Sequence, residues 1–209
     1  LYNIDTLVYT GFPTDAMRLI DSPRTATLVP GGTPFDVPVL DAERNRLSTL
    51  FPNNGYYYYQ PGYASYLADT LSSPGSASLR LQLAGGIPDM ARRQWYIGDV
   101  DLQIRKQYTD QLTDSFRYRH FSMQYNGRRP PMRARVIMKD VKLRHGQPYS
   151  YDNYIQSANK LSSTGVFSMV DFKFTPRDTT ALNDTIDLTL NCILDKPYDF
   201  YVESNVTGK

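Results

Sequence analysis

The sequence predicts an α+β protein made of two consecutive strand-helix-helix-strand-strand modules, each a small mixed sheet packed by two helices. Three observations carry that expectation. Two alternating strand patterns close the C-terminal half, a capped amphipathic helix precedes them, and the same order of signals recurs, in pattern more than in letters, through the N-terminal half.

In chain order, residues 1–9 read as a strand and residues 15–20 as a short helical segment. Pro38 stands at an N1 position of a second helix, whose Leu40, Leu47, Leu50 and Phe51 share a face and which ends at Asn53-Asn54-Gly55. Residues 56–60 form a candidate strand, interrupted by Pro61 and Gly62, and Leu79, Leu81 and Leu83 form another. These elements make a first module of residues 1–91. The Pro- and Gly-rich stretch 25–37 and the segment 106–116 show no regular period.

In the second half, Val100, Leu102 and Ile104 alternate with Asp99, Asp101 and Gln103, the period-2 signature of a half-buried strand. A polar insertion follows, in which Tyr118, His120, Ser122, Gln124 and Asn126 alternate with Arg119, Phe121, Met123 and Tyr125, a pattern open to one extra strand. Ala134, Ile137, Met138 and Val141 fall at i, i+3, i+4, i+7 and predict a helix ending at His145-Gly146. Ser150 is placed to cap a better helix, with Tyr151, Tyr154, Ile155, Ala158 and Leu161 on one face and Gly165 as its stop. Val170, Phe172 and Phe174 alternate with Asp171 and Lys173, and Ile186, Leu188, Leu190, Cys192 and Leu194 with Asp187, Thr189, Asn191 and Asp195. Turn-rich residues 176–184 join them as a hairpin. The second module spans 92–197, and residues 198–209 begin a further strand.

Composition narrows the function classes. The 209 residues are 41% hydrophobic and 21% charged, with 17 tyrosines, a balance that favours strands. The net charge of +2 divides into −3 for residues 1–91 and +5 for the remainder, too little in either half for a nucleic-acid partner. A single cysteine, Cys192, excludes an internal disulfide or a cysteine-rich zinc site. No run approaches the roughly 18 apolar residues of a spanning helix. The chain opens on Leu1-Tyr2-Asn3-Ile4 and is expected to be a piece of a longer protein.

No phosphate-binding, dinucleotide, nucleophile-elbow or zincin motif occurs, so no catalysis and no cofactor or metal is expected. His120 and His145 have no carboxylate or cysteine at metal-ligand spacing and read as solvated or helix-terminal groups. Asp99 and Asp101 share the solvent face of their strand. Two features could bind something. Tyr56 to Tyr59 could stack on a glycan or peptide, although a strand would send half of the rings to the core. Arg135, Lys139 and Lys142 fall on one side of the predicted helix, with Arg128, Arg129 and Arg144 nearby, either as a solvated face or as an attraction to acidic lipid headgroups or an acidic partner.

Several motifs carry a family resemblance: Phe51-Pro52-Asn53-Asn54-Gly55 with the tyrosine run, Tyr66-Leu67-Ala68-Asp69-Thr70, Ser73-Pro74-Gly75, and Trp95-Tyr96-Ile97-Gly98-Asp99-Val100. His145-Gly146-Gln147-Pro148-Tyr149-Ser150 and Thr164-Gly165-Val166-Phe167-Ser168-Met169-Val170 complete the set. Over residues 45–209 the chain resembles the periplasmic POTRA (polypeptide-transport-associated) repeats of BamA/TamA-like outer-membrane assembly proteins. In the first repeat the nearest match to the Gly-x-Pro-Tyr-Ser turn is Gly32-Thr33-Pro34-Phe35-Asp36.

The resemblance implies a periplasmic location attached to the outer membrane and a C-terminal β-barrel beginning at residues 198–209. It implies partners that are unfolded outer-membrane proteins or accessory assembly subunits. It also implies that the second strand of each module is an edge to which an extended peptide can add. Here that edge is Met169, Val170, Asp171, Phe172, Lys173, Phe174 and Thr175, with Tyr57 and Tyr59 in the first module. Lys173 and Pro176 would discourage uncontrolled pairing. A periplasmic or surface glycan-binding module using the tyrosine run is the other reading.

Overall fold

The computed structural model describes residues 2–22, 26–72, 74–178, 180 and 183–196. The expected barrel start at 198–209, Leu1 and Ser73 lie outside those residues. The elements are β1 (Asn3–Thr10), α1 (Thr14–Ile20), α2 (Val37–Leu50), β2 (Ala64–Asp69), β3 (Ser76–Leu83), β4 (Tyr96–Arg105), β5 (Asp114–Tyr118) and β6 (Phe121–Tyr125). They continue with α3 (Ala134–Met138), α4 (Tyr151–Ser163), β7 (Phe167–Pro176) and β8 (Thr185–Leu194). The protein is α+β, with two small mixed sheets and few helices.

The first sheet has the order β1-β3-β2, with β1 parallel and β2 antiparallel to the central β3. The second repeats that arrangement as β4-β8-β7 and adds β6 and β5 beyond β4, giving the order β5-β6-β4-β8-β7. The inserted polar segment is therefore two strands, a hairpin that enlarges the expected three-stranded sheet. In both sheets the first strand is parallel to the last, and the helical segment between them supplies the crossover that a parallel pair requires.

The two halves share a turn that the letters only hint at. Gly32 and Gly146 adopt left-handed φ of 88° and 78°. Three backbone hydrogen bonds then tie each turn to the first strand of its sheet. Ile4 N–H donates to Thr33 O, Gly32 N–H to Ile4 O, and Phe35 N–H to Tyr2 O. The second turn repeats them, with Ile97 N–H to Gln147 O, Gly146 N–H to Ile97 O, and Tyr149 N–H to Trp95 O. Pro34 and Pro148 form matching bridges to Asn3 and Tyr96. Each turn delivers its N-cap, Asp36 or Ser150, to the start of a long helix.

Two expectations are corrected. Residues 56–60 are not a strand, and the second strand of the first sheet is β2 instead. The tyrosine run follows a 3₁₀ turn at Pro52–Asn54 and a left-handed Gly55, and Tyr59 N–H donates to Tyr56 O. Its rings therefore separate with a spacing near three residues, Tyr56 and Tyr59 burying around Phe51 while Tyr57 and Tyr58 face the second core. The helix expected to reach His145 stops at Met138. Beyond it Val141 and Leu143 are both buried, a spacing of two that an extended segment satisfies and a helix does not. Arg135 alone of the basic trio lies within the helix; Lys139 is its C-cap and Lys142 follows in coil.

The core of the second sheet gathers Trp95, Leu102, Ile104, Met123, Leu188, Leu190 and Cys192, all fully buried. Burial pushes the Cys192 thiol up to about 12. In the first module α2 buries Glu43 beside Leu40 and Leu47. Its carboxylate accepts from Tyr9 Oη at 2.5 Å, Leu28 N at 2.8 Å, and Arg46 Nη2 and Nε at 2.7 and 3.0 Å. All four donors converge on one buried charge, tying β1 and the segment before the Gly32 turn to α2.

Burial alone would raise the Glu43 carboxyl, but the hydrogen bonds from Arg46, Tyr9 and Leu28 outweigh it and hold the group below its ordinary value. A depressed folded-state value means that Glu43 stabilises the fold above the ordinary carboxyl range, and that this contribution is lost as pH falls through the folded value. Urea midpoints measured from pH 6 to pH 3 should therefore fall more steeply for the native chain than for Glu43→Gln. At pH 6 the variant should be less stable by about 2–4 kcal/mol, because a neutral amide weakens the charge-assisted bonds that the buried carboxylate accepts from Arg46, Tyr9 and Leu28.

Candidate functional site

Three places in the structure could engage another molecule. The first is β7, the terminal strand of the second sheet. Its side chains alternate as expected: Asp171, Lys173 and Thr175 are exposed, whereas Val170, Phe172 and Phe174 face α4 and the core. The backbone alternates too. Arg177 N–H donates to Thr185 O across the hairpin, and the register pairs Thr175 with Asp187 and Lys173 with Thr189. Odd-numbered residues thus point their peptide groups at β8, and Val170, Phe172 and Phe174 point theirs outward. Pro176 takes the next outward position, where a missing N–H costs no ladder bond.

The second place is the tyrosine run. Tyr57 stacks edge-on to Tyr149 at 4.8 Å and lies 5.6 Å from Phe174, while Tyr58 meets Trp95 at 5.4 Å. These rings are spent in joining the two sheets, and Tyr57 and Tyr59 lie on no strand edge. Asn53 reinforces the joint: its Oδ1 accepts from Asp152 N at 2.7 Å and its Nδ2 donates to Asp152 Oδ2 at 2.8 Å. The first module thereby satisfies a helix-start N–H of α4 that Ser150, which accepts from Asn153 N at 3.3 Å, does not. A shallow groove of about 410 Å³ remains there, lined by Tyr57, Tyr59, Tyr149, Tyr151 and Asp152.

The third place was invisible to spacing. A bulge between Ile97 and Val100 turns Asp99 toward the inserted hairpin, where it accepts from Arg117 Nη2 at 2.6 Å and His120 Nδ1 at 3.0 Å, with Arg177 at 3.5 Å. Burial opposes ionisation here, yet the hydrogen bonds from His120 and Arg117 and the charges of Arg117 and Arg177 hold the Asp99 carboxyl below its ordinary value. His145 Nδ1 lies 2.8 Å from Gly98 O, so both histidines, read from the sequence as solvated or helix-terminal, are anchored on residues 98–99. Their rings stack at 3.5 Å with only 4° between planes.

Ligand atoms of Asp99, His120 and His145 lie within 4.8 Å of one another. A cation fits poorly. Asp99 is already taken by two arginines, and a metal in the plane of one imidazole would stand off the plane of its parallel neighbour, whereas ring-nitrogen lone pairs must converge on the ion. Beside the stack lies a cavity of about 420 Å³, floored by Val100, Phe121, Ala134, Met138 and Leu143 and rimmed by Arg119, Arg135 and Arg144. The only sequence signal for it was the alternation on either side of Arg119-His120, which marks a two-residue hairpin turn.

No family model matches the chain, and no curated protein matches it. Solved structures do. BamA from Haemophilus ducreyi lacking POTRA domains 1–3 superposes with a TM-score of 0.58 at 11% identity, over 93% of this chain and 30% of that one. POTRA1-2 of the periplasmic domain of Omp85 from Anabaena gives 0.42 at 7% identity, over 91% and 94%. CdiB from Escherichia coli gives 0.32 at 10% identity, over 94% and 28%. Of these three, the first superposes closely enough to show a shared fold, and the chain is POTRA-like in fold. No helix among the described residues is long and apolar enough to cross a membrane.

Gly98 anchors the third place. A Cβ there would collide with Asp187 Oδ1 and Thr185 Cγ2, inside the network that also receives Asp99 N–H on Asp187. Gly98→Ala should lower stability by about 1–3 kcal/mol in urea unfolding, the usual cost of overpacking. Gly62→Ala, which meets nothing within 4 Å, serves as the control and should stay within about 0.5 kcal/mol.

Proposed function

We propose that this chain is part of the periplasmic region of an outer-membrane protein assembly or translocation factor. Its two modules, residues 1–91 and 92–197, receive unfolded outer-membrane proteins or accessory subunits by strand augmentation and pass them to a barrel that begins near residue 198. No catalytic step belongs to this reading. The shared fold with BamA supports the family setting, and the chain spans 30% of that BamA chain.

The observation that carries the reading is the open β7 edge. Ten residues long, it presents the peptide groups of Val170, Phe172 and Phe174 without a partner strand among the described residues. An extended client can satisfy those groups with its own main chain, which gives modest affinity and little sequence preference. Side-chain selectivity has little to work with, because Phe172 and Phe174 are occupied by Tyr154 of α4 at ring distances of 5.3 and 5.4 Å. Lys173 and Pro176 keep the edge from pairing with a second copy.

Amide hydrogen exchange tests this. With an extended peptide taken from an outer-membrane barrel strand, exchange at Val170, Phe172 and Phe174 should slow, while Asp171 and Lys173, already bonded to β8, should stay as protected as before. Unchanged exchange at the three outward amides, or protection gained on β5 or β2 instead, would sink the assignment of β7 as the receiving edge.

A further inference from the structure

We infer that the cavity between the inserted hairpin and α3 binds one single-chain anionic amphiphile, an acyl chain bearing a carboxylate or phosphate head. This does not rest on the strand-edge reading. The floor is formed by the side chains of Val100, Phe121, Ala134, Met138 and Leu143 and is predominantly apolar. An acyl chain can cover that apolar surface without burying any polar group, whereas a peptide would bring its amides against it at a cost. At about 420 Å³ it sits at the small end of ligand cavities, a size for one chain and not for the paired chains of a bilayer phospholipid.

The rim supplies the head-group chemistry. Among the described residues no carboxylate pairs with Arg119, Arg135 or Arg144: Arg119 lies over the Tyr118 ring at 5.3 Å and Arg144 makes one long bond to Met138 O at 3.4 Å. The carboxylate within reach of this wall, Asp99, is already neutralised by Arg117 and Arg177. Arg119 is also the single non-glycine residue with positive φ, 54°, among the described residues. It occupies a hairpin position where Gly or Asn would relax the backbone, and it lines the mouth of the cavity. The parallel imidazoles of His120 and His145 form the adjoining wall.

The probe is decanoate below its micelle concentration, titrated into the ¹⁵N-labelled chain. Saturable shifts should centre on Phe121, Met138 and Leu143, and each added methylene between C8 and C12 should tighten binding about three- to fourfold. Arg135→Gln with Arg144→Gln, both exposed and outside the core, should weaken decanoate about tenfold while leaving the per-methylene factor unchanged. Four results would overturn the inference: equal binding of decyltrimethylammonium, no loss in the double arginine variant, shifts with inorganic phosphate alone, or binding to phosphatidylglycerol vesicles with none to the monomeric amphiphile.

Discussion

The architecture hangs on a short ladder of three hydrogen bonds between a glycine turn and the first strand of each sheet. At Gly32–Phe35 and again at Gly146–Tyr149 the backbone reverses through a left-handed glycine, bonds on both sides of Ile4 or Ile97, and releases a helix cap at a fixed place. The ladder decides where the long helix begins, so it decides which helix face meets the sheet. Sequence similarity between the two turns amounts to one glycine, one proline and an aromatic residue. That is enough, because the hydrogen bonds use main-chain atoms and the side chains have only to permit the φ values and fill one core position.

A second constraint couples the halves. Gly55 O accepts from Trp95 N at 2.7 Å, and the Trp95 indole, fully buried, donates to Met90 O at 2.9 Å. Around it Tyr57, Tyr58, Tyr149 and Phe174 interlock edge to face, a geometry worth about 0.5–1.5 kcal/mol per pair beyond burial. Burial raises Tyr57, Tyr58 and Tyr149 above the ordinary phenol value, so these hydroxyls stay uncharged in the joint further into the alkaline range than free phenols do. The run that invited comparison with a sugar platform packs as an aromatic joint between the two sheets.

What the sequence made legible follows from where a period exists. β3, β4, β7 and β8 alternate cleanly since one face of each is core, and α4 announces itself through Ser150, its apolar face and Gly165, whose φ of 71° is left-handed as its C-terminal role requires. Four identical tyrosines carry no period at all, so their turn could not be told from a strand. The α3 region misled because Ala134 to Val141 fits a helical spacing by accident, while Leu143 at i+2 from Val141 signals the extended chain that follows. The His120–His145 stack had no local signal: the parallel pairing of β6 with β4 sets His120 beside β4, and the Gly146 turn brings His145, 25 residues further along the chain, to the same place.

The inserted hairpin changes the meaning of the second sheet's two ends. Without β5 and β6, β4 would expose an edge as long as that of β7, and the sheet would have two long open edges. The hairpin covers β4 at Val100–Gln103 and moves the free edge to β5, five exposed residues that include Asp114 and Arg117. A short, charged, solvent-flanked strand is a poor template for pairing, whereas β7 offers ten residues backed by a helix and a packed aromatic face. The same insertion that builds the arginine-rimmed cavity therefore also makes the sheet one-sided, and both consequences trace to a polar segment whose alternation was its only mark in the sequence.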